Sequence, residues 1–161
     1  MLDLRVEKRR AAAELTLAGG RHVQGSFFLA GSSATHTGPE RIADLLNGEA
    51  GFFPFAIHQT DGRGGAETAL YNRAQVVSVK LLESTGEATL DPGYDLATER
   101  QVAMLLSNGE TISGAVRVYR PEGRDRLSDY ARAADVFRYV EAQHATFIVN
   151  TMHIVELRET A

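Results

Sequence analysis

Few side chains in this sequence are spaced for chemistry, and those that are come in pairs. Asn72-Arg73 and Asn150-Thr151 occupy corresponding short segments between apolar runs. Asparagine tolerates left-handed backbone and hydrogen-bonds its own turn, so turn-making is the plainer reason for both. Arg73 adds a planar cation that could meet a phosphate or stack on a base, whereas the second segment offers only Thr151. Arg41 with Asp44, and Arg126 with Asp129, are three residues apart on predicted helices. Such a pair is worth a few tenths of a kcal/mol on a helix surface, about 0.2–0.5, or can contact the neighbouring copy. With no third partner, neither is a catalytic pair. The five histidines (His22, His36, His58, His144, His153) show no His-x-His, HExxH or His-plus-carboxylate spacing of the kind a metal needs. No Gly-x-Ser-x-Gly elbow, phosphate loop or Rossmann fingerprint is present, and Gly62-Arg-Gly-Gly65 reads as a flexible hairpin tip. No enzyme activity, no metal and no cofactor is expected.

Composition narrows the class further. The chain has 161 residues, 43% apolar and 24% charged, as a soluble globular protein does. It has no cysteine, which excludes disulfide frameworks, thiol catalysis and Cys-ligated metals. Seventeen basic against twenty-one acidic residues leave a net charge of −4, against a whole-surface polyanion binder. No apolar run is long enough for a membrane span, and the start, MLDLRVEKRR, lacks an apolar signal core. A cytoplasmic location is expected.

One pattern occurs twice. Leu15-Thr-Leu-Ala-Gly-Gly-Arg-His-Val-Gln-Gly25 is answered by Met104-Leu-Leu-Ser-Asn-Gly-Glu-Thr-Ile-Ser-Gly114, an offset of 89 (109−20 and 114−25). The Arg41 and Phe52 blocks recur at Arg126 and Phe137, an offset of 85 (126−41 and 137−52). Tyr71-Asn-Arg-Ala-Gln-Val76 recurs as Val149-Asn-Thr-Met-His-Ile154, an offset of 78 (149−71). Four blocks in one order imply an internal duplication. The expected organisation is a first repeat over 1–83, a linker over 84–97 rich in turn formers, and a second repeat over 98–161.

The elements that must position these residues are mostly strands. Leu15 and Leu17 alternate with polar neighbours, as do Met104 and Leu106, and Asn108-Gly109 suggests a type I′ hairpin turn. Gly25 and Gly114 fall inside the returning strands, where glycine marks a bend or a close backbone approach. A short helix follows, capped by Thr37 in the first repeat and by Asp125 or Ser128 in the second. Third strands are predicted near Phe52–His58 and Val136–Ala142. Two more, tightly joined, follow in each repeat. The fold class is therefore mainly β: two tandem five-stranded small barrels, each with a short helix inserted after the second strand.

These residues resemble the Sm/LSm small-barrel family and its bacterial RNA-chaperone relatives. Met104 to Val118 and Leu15 to Leu29 are similar to the first Sm signature, an alternating strand, a tight turn and a strand with an internal glycine. Tyr71 to Val76 and Val149 to Ile154 resemble the second. The resemblance places Asn72, Arg73, Asn150 and Thr151 where the family puts ligand-contacting residues. It also implies that open strand edges pair between subunits into rings, so that three chains would resemble a six-membered ring. Neither copy has the family's Asp-x-x-Asn loop or Arg-Gly step, so the resemblance implies the fold more than RNA binding. Arg5-x-x-x-Arg9 also resembles, more faintly, the arginine motif of PilZ domains, which bind cyclic di-GMP. Its companion serine run is matched only by Ser33. The function these readings imply is a non-enzymatic binding or assembly module, partnered by protein or by itself through strand edges. RNA binding is the alternative, and no membrane partner is expected.

Overall fold

The structure is a computed structural model, and it describes residues 8–31, 38–58, 67–83, 86–91, 93–119, 126–131 and 135–160. The first run of elements is β1 (Lys8–Leu17), β2 (His22–Ala30), α1 (Ile42–Gly48), β3 (Phe52–Ile57), β4 (Glu67–Asn72) and β5 (Val76–Leu81). The second is β6 (Thr98–Leu106), β7 (Thr111–Val118), α2 (Leu127–Ala131), β8 (Phe137–Glu141), β9 (Thr146–Asn150) and β10 (Ile154–Glu159). Each helix falls after the second strand of its run, as the sequence pattern suggested. Between the runs, Glu87–Leu90 and Tyr94–Leu96 form single 3-10 turns. Glu87 and Ala88 there are buried, so this connection is packed rather than merely spanning.

The ten strands among the described residues belong to one antiparallel sheet, in the order β10-β6-β7-β8-β9-β5-β1-β2-β3-β4. The mainly β class and the two inserted helices are as expected, but in place of two tandem small barrels the chain has one continuous sheet that is not closed into barrels. Within each run the strand order is the same, fifth-first-second-third-fourth, but neither run closes on itself. The reason is a competition for edges. β5 pairs with β9 through Ser78↔Val149, Val79↔Ile148 and Lys80↔Phe147. That pairing satisfies the backbone groups of both strands, and β4 and β10 are left as the two ends of the sheet. The cores cross the same seam. Phe137 and Ile148 join the cluster built on Leu15, Phe27, Phe53 and Phe55, while Val77 joins the one built on Met104, Val116 and Val140.

Local sequence accounts for the bends. A Cβ on Gly25 would lie 2.1 Å from the Ala56 carbonyl oxygen, and one on Gly114 would lie 2.7 Å from that of Glu141. Both glycines therefore permit the third strand of each run to approach the second, because only a residue without a Cβ leaves room for the facing backbone. A turn falls at Gly19-Gly20 as expected, but the second hairpin turn differs from expectation. No described non-glycine residue has positive φ, so Asn108 cannot take part in a type I′ turn. Instead Gly109 N–H donates to Leu106 O at 2.9 Å and Leu106 N–H to Glu110 O at 2.8 Å. With Gly109 at φ 87°, this is a three-residue loop, a type I turn followed by a left-handed glycine.

The helix starts are also corrected. α1 begins at Ile42, and its cap is made by Asp44, whose Oδ2 accepts from Arg41 N–H at 2.8 Å. Asp129 Oδ2 accepts likewise from Arg126 N–H at 3.0 Å, and Ser128 lies inside α2 rather than at its start. Thr37 and Asp125 lie outside the described residues, as do Arg5, Ser33, His36 and Gly62–Gly65. Among the described residues, no helix is long and apolar enough to cross a membrane.

Candidate functional site

The paired asparagines turn their strands by the same device. Each has φ −78°, so neither uses left-handed backbone. Asn72 Oδ1 accepts from Ala74 N–H at 3.0 Å, and Asn150 Oδ1 accepts from Met152 N–H at 2.9 Å. Each thereby caps the single 3-10 turn that follows, Arg73–Gln75 or Thr151–His153. Arg73 N–H donates to Gly51 O and Thr151 N–H to Val136 O, both at 2.8 Å.

Beyond the backbone the two turns diverge. The Arg73 guanidinium is buried, donating from Nη1 to Phe52 O at 2.8 Å and from Nη2 to Leu45 O at 3.1 Å. It lies over the Phe53 ring, and burial pulls its pKa below the usual arginine value. Its terminal nitrogens thus tie α1 to β3. Asn150 is buried too, and its Nδ2 donates across the seam to Val76 O at 2.9 Å. Asn72 stands on β4 at the end of the sheet, whereas Asn150 stands on β9 in its middle. The four residues singled out from the sequence therefore serve two places, not one.

A charged network at the seam was not legible from spacing. Arg41 donates to Asp44 from Nε at 3.0 Å and Nη2 at 2.9 Å, pairs with Asp91, and donates from Nη1 to Glu87 O at 3.2 Å. Burial opposes its charge, but Asp44, Tyr139 and Asp91 outweigh that, and its pKa is held above the ordinary arginine value. Glu87 Oε1 accepts from Ile42 N–H at 3.0 Å and from Tyr139 Oη at 2.8 Å. Burial pushes the Glu87 carboxyl up despite those donors and the nearby Arg9 and Arg41. Glu87 and Asp91 come from the segment read only as a linker. The histidines stay apart: His22 meets Thr16, Glu14 and Glu110, His58 meets Ser26, and His153 meets Ser107. Among the described residues, no group of three or more His, Asp or Glu is placed to hold a metal ion.

The two sheet ends carry the repeat positions that correspond to those of the seam. At the offset of 78, Ile148 corresponds to Leu70 (148−70) and Val77 to Val155 (155−77). Ile148 and Val77 are 0% exposed, whereas Leu70 is 67% and Val155 66% exposed. The register also slips at the same place in both fifth strands, skipping Val77 against β1 and Val155 against β6. His153 Nε2 is 2.7 Å from Ala74 O at the seam, and Gln75 is its counterpart beside the open β4 end.

No protein family, no curated protein and no solved structure matches this chain.

Proposed function

We propose that this protein is a non-enzymatic assembly module that joins to copies of itself, β10 of one chain pairing with β4 of the next. Each half is read as an Sm-like unit opened into a shared sheet, which the repeated strand order supports. The observation that carries the proposal is the seam: it pairs a fifth strand with a fourth strand, and the free ends are a fourth strand and a fifth strand at corresponding repeat positions. An open edge of unpaired N–H and C=O groups with apolar side chains is a template for strand addition.

Transferring the seam register by 78 residues places Tyr71, Leu70 and Ala69 opposite Glu156, Leu157 and Arg158 of the neighbour. Asn72 Nδ2 then reaches the neighbour's Ile154 carbonyl, as Asn150 Nδ2 reaches Val76 O. The contact is heterologous, so it propagates until it closes; three chains would bring six repeats into a ring. Arg73 supports a protein partner over RNA, since both its terminal nitrogens are occupied by carbonyls.

Because the chain has no cysteine, the register can be read by oxidative cross-linking. The double variant Leu70→Cys/Leu157→Cys should form covalent multimers, since directly opposed strand residues lie within disulfide reach, roughly 4.4–6.8 Å between Cα atoms. Leu70→Cys/Arg158→Cys, one residue out of register, should not. Light scattering of the unmodified chain should give a multiple of 17.5 kDa, and Leu70→Lys/Val155→Lys should return it to a monomer with unchanged circular dichroism. A native chain that stays monomeric at about 100 μM, well above a micromolar dissociation constant, overturns the reading.

A further inference from the structure

We propose that the outer face of β3 and β4, led by Phe52, is a docking face for a second copy of this chain, and that it packs into the open core beside α2 of that copy. The inference rests on the strand pairing proposed above, but it concerns a side-chain face rather than a strand edge. Phe52 is 63% exposed, and Leu70, also exposed, pairs with Pro54, two residues along from Phe52. Residues two apart on a strand, and residues directly paired across strands, share one face of a sheet.

The seam shows what covers such a face. Phe52 pairs with Asn72 and Phe137 with Asn150, so the two phenylalanines hold the same place in their halves. Phe137 is only 4% exposed, and both it and Ile148 pack into the first-half core. α1 holds the contact: Asn47 Nδ2 donates to Phe137 O, and Asn47 Oδ1 accepts from Phe137 N–H, both at 2.8 Å. Ile42 of that helix, with Val76 and Val79 of β5, is buried in the same core.

The second-half core lacks such a cover among the described residues. The counterparts of Ile42, Val76 and Val79 are Leu127 (127−42 is 85), Ile154 (154−76 is 78) and Leu157 (157−79 is 78). All three are only partly buried. On α1 Ala43 and Leu46 are buried, whereas Ser128 and Ala131, at the same positions of α2, are exposed. One chain therefore presents an exposed Phe52 face at one end and a partly open core at the other, with the whole sheet between them. The seam joins the same two parts, and only a second copy brings the remaining pair together.

The chain has no tryptophan, so Phe52→Trp places a single indole on the face. Emission and light scattering are read on the same samples. In the assembled protein the emission should shift to shorter wavelength and acrylamide quenching should fall. Adding Leu70→Lys/Val155→Lys, which breaks the strand pairing, should return both to the values of an indole in water. Assembled protein whose indole stays as accessible as in that monomer overturns this inference alone and leaves the strand pairing standing. A native chain that stays monomeric overturns both. Where the larger indole itself blocks assembly, Phe52→Ala decides, since truncating an exposed ring leaves the chain's own core intact. It should raise the dissociation constant of the assembly about tenfold or more, and an unchanged constant overturns the inference.

Discussion

Arg41 and Arg126 stand in the same place, each ahead of the helix of its half and three residues before an aspartate. The fold uses them in opposite ways. The Arg41 side chain is 8% exposed and reaches two carboxylates and a carbonyl, whereas that of Arg126 is 73% exposed, its Nε 3.8 Å from Asp129. The difference does not lie in the motif. It lies in the connecting segment, which follows the first half and lays Glu87 and Asp91 against Arg41, whereas among the described residues Arg126 pairs with Asp129 alone. Repetition of a local pattern repeats local structure; burial comes from what arrives later in the chain.

The largest expected effect breaks the comparison at its strong side. Arg41→Met keeps the apolar stem but takes the paired cation away from Asp44 and Asp91, whose side chains are only 11% and 23% exposed. Removing one partner of a buried charged pair costs about 3–5 kcal/mol, and urea unfolding should show a loss of that order. A loss below about 1 kcal/mol, the range of exposed pairs, would mean that Arg41 is no more integral than Arg126.

The two inner glycines come next. Gly25→Ala and Gly114→Ala each push a methyl into a facing backbone carbonyl, and overpacking of this kind costs about 1–3 kcal/mol. Gly25 should be the worse of the two, since its added Cβ would sit 2.1 Å from Ala56 O, against 2.7 Å from Glu141 O for Gly114. Equal melting temperatures in the two variants would show that β3 and β8 yield alike, despite the difference in geometry.

These glycines mark how far the sequence could be read. A glycine at the same place in two alternating runs predicts a close approach of strands, and the structure has it at both. The turn asparagines were legible as turn makers, because a side-chain oxygen two residues before a free amide is a local matter. The continuous sheet was not legible. Whether β5 returns to its own half or accepts β9 depends on hydrogen bonds between residues about 70 apart (149−78 is 71), and those leave no mark in either strand's alternation. Glu87 and Asp91 were missed for a related reason. Each looks ordinary in its own segment, and only the packing of the connecting turns against α1 and β8 gives them Tyr139 and Arg41 as partners.

Glu87 sharpens the comparison through pH. Its carboxyl is pushed up in the folded protein, chiefly by burial, from an ordinary value near 4.5. The folded state then holds the proton at pH values where the unfolded chain has released it. Stability should therefore fall as pH rises from about 4.5 through the folded value, and be flat with respect to this group above it. The slope is at most about 1.4 kcal/mol per pH unit for one proton. Glu87→Gln retains an oxygen acceptor for Ile42 N–H and Tyr139 Oη but cannot titrate. Denaturation at a series of pH values should show that slope in the native chain and not in the variant. If both curves run parallel, the carboxyl is not held protonated by the seam.

The smallest effect tests the weak side of the comparison. Arg126→Ala removes a side chain that is mostly in water and whose guanidinium is 3.8 Å from its carboxylate partner. Exposed pairs of this kind are worth about 0–1 kcal/mol, and those within a helical turn less than about 0.5. The substitution leaves the Arg126 N–H, and with it the cap that Asp129 Oδ2 makes at 3.0 Å. Asp129 is 17% exposed but keeps that donor, so its carboxylate is not left without a partner. The variant should unfold within about 0.5 kcal/mol of the native chain, and the residual difference should shrink with added salt, as exposed ion pairs do. A loss approaching that of Arg41→Met, insensitive to salt, would show that Arg126 is engaged as its counterpart is, and the asymmetry drawn between the halves would fall.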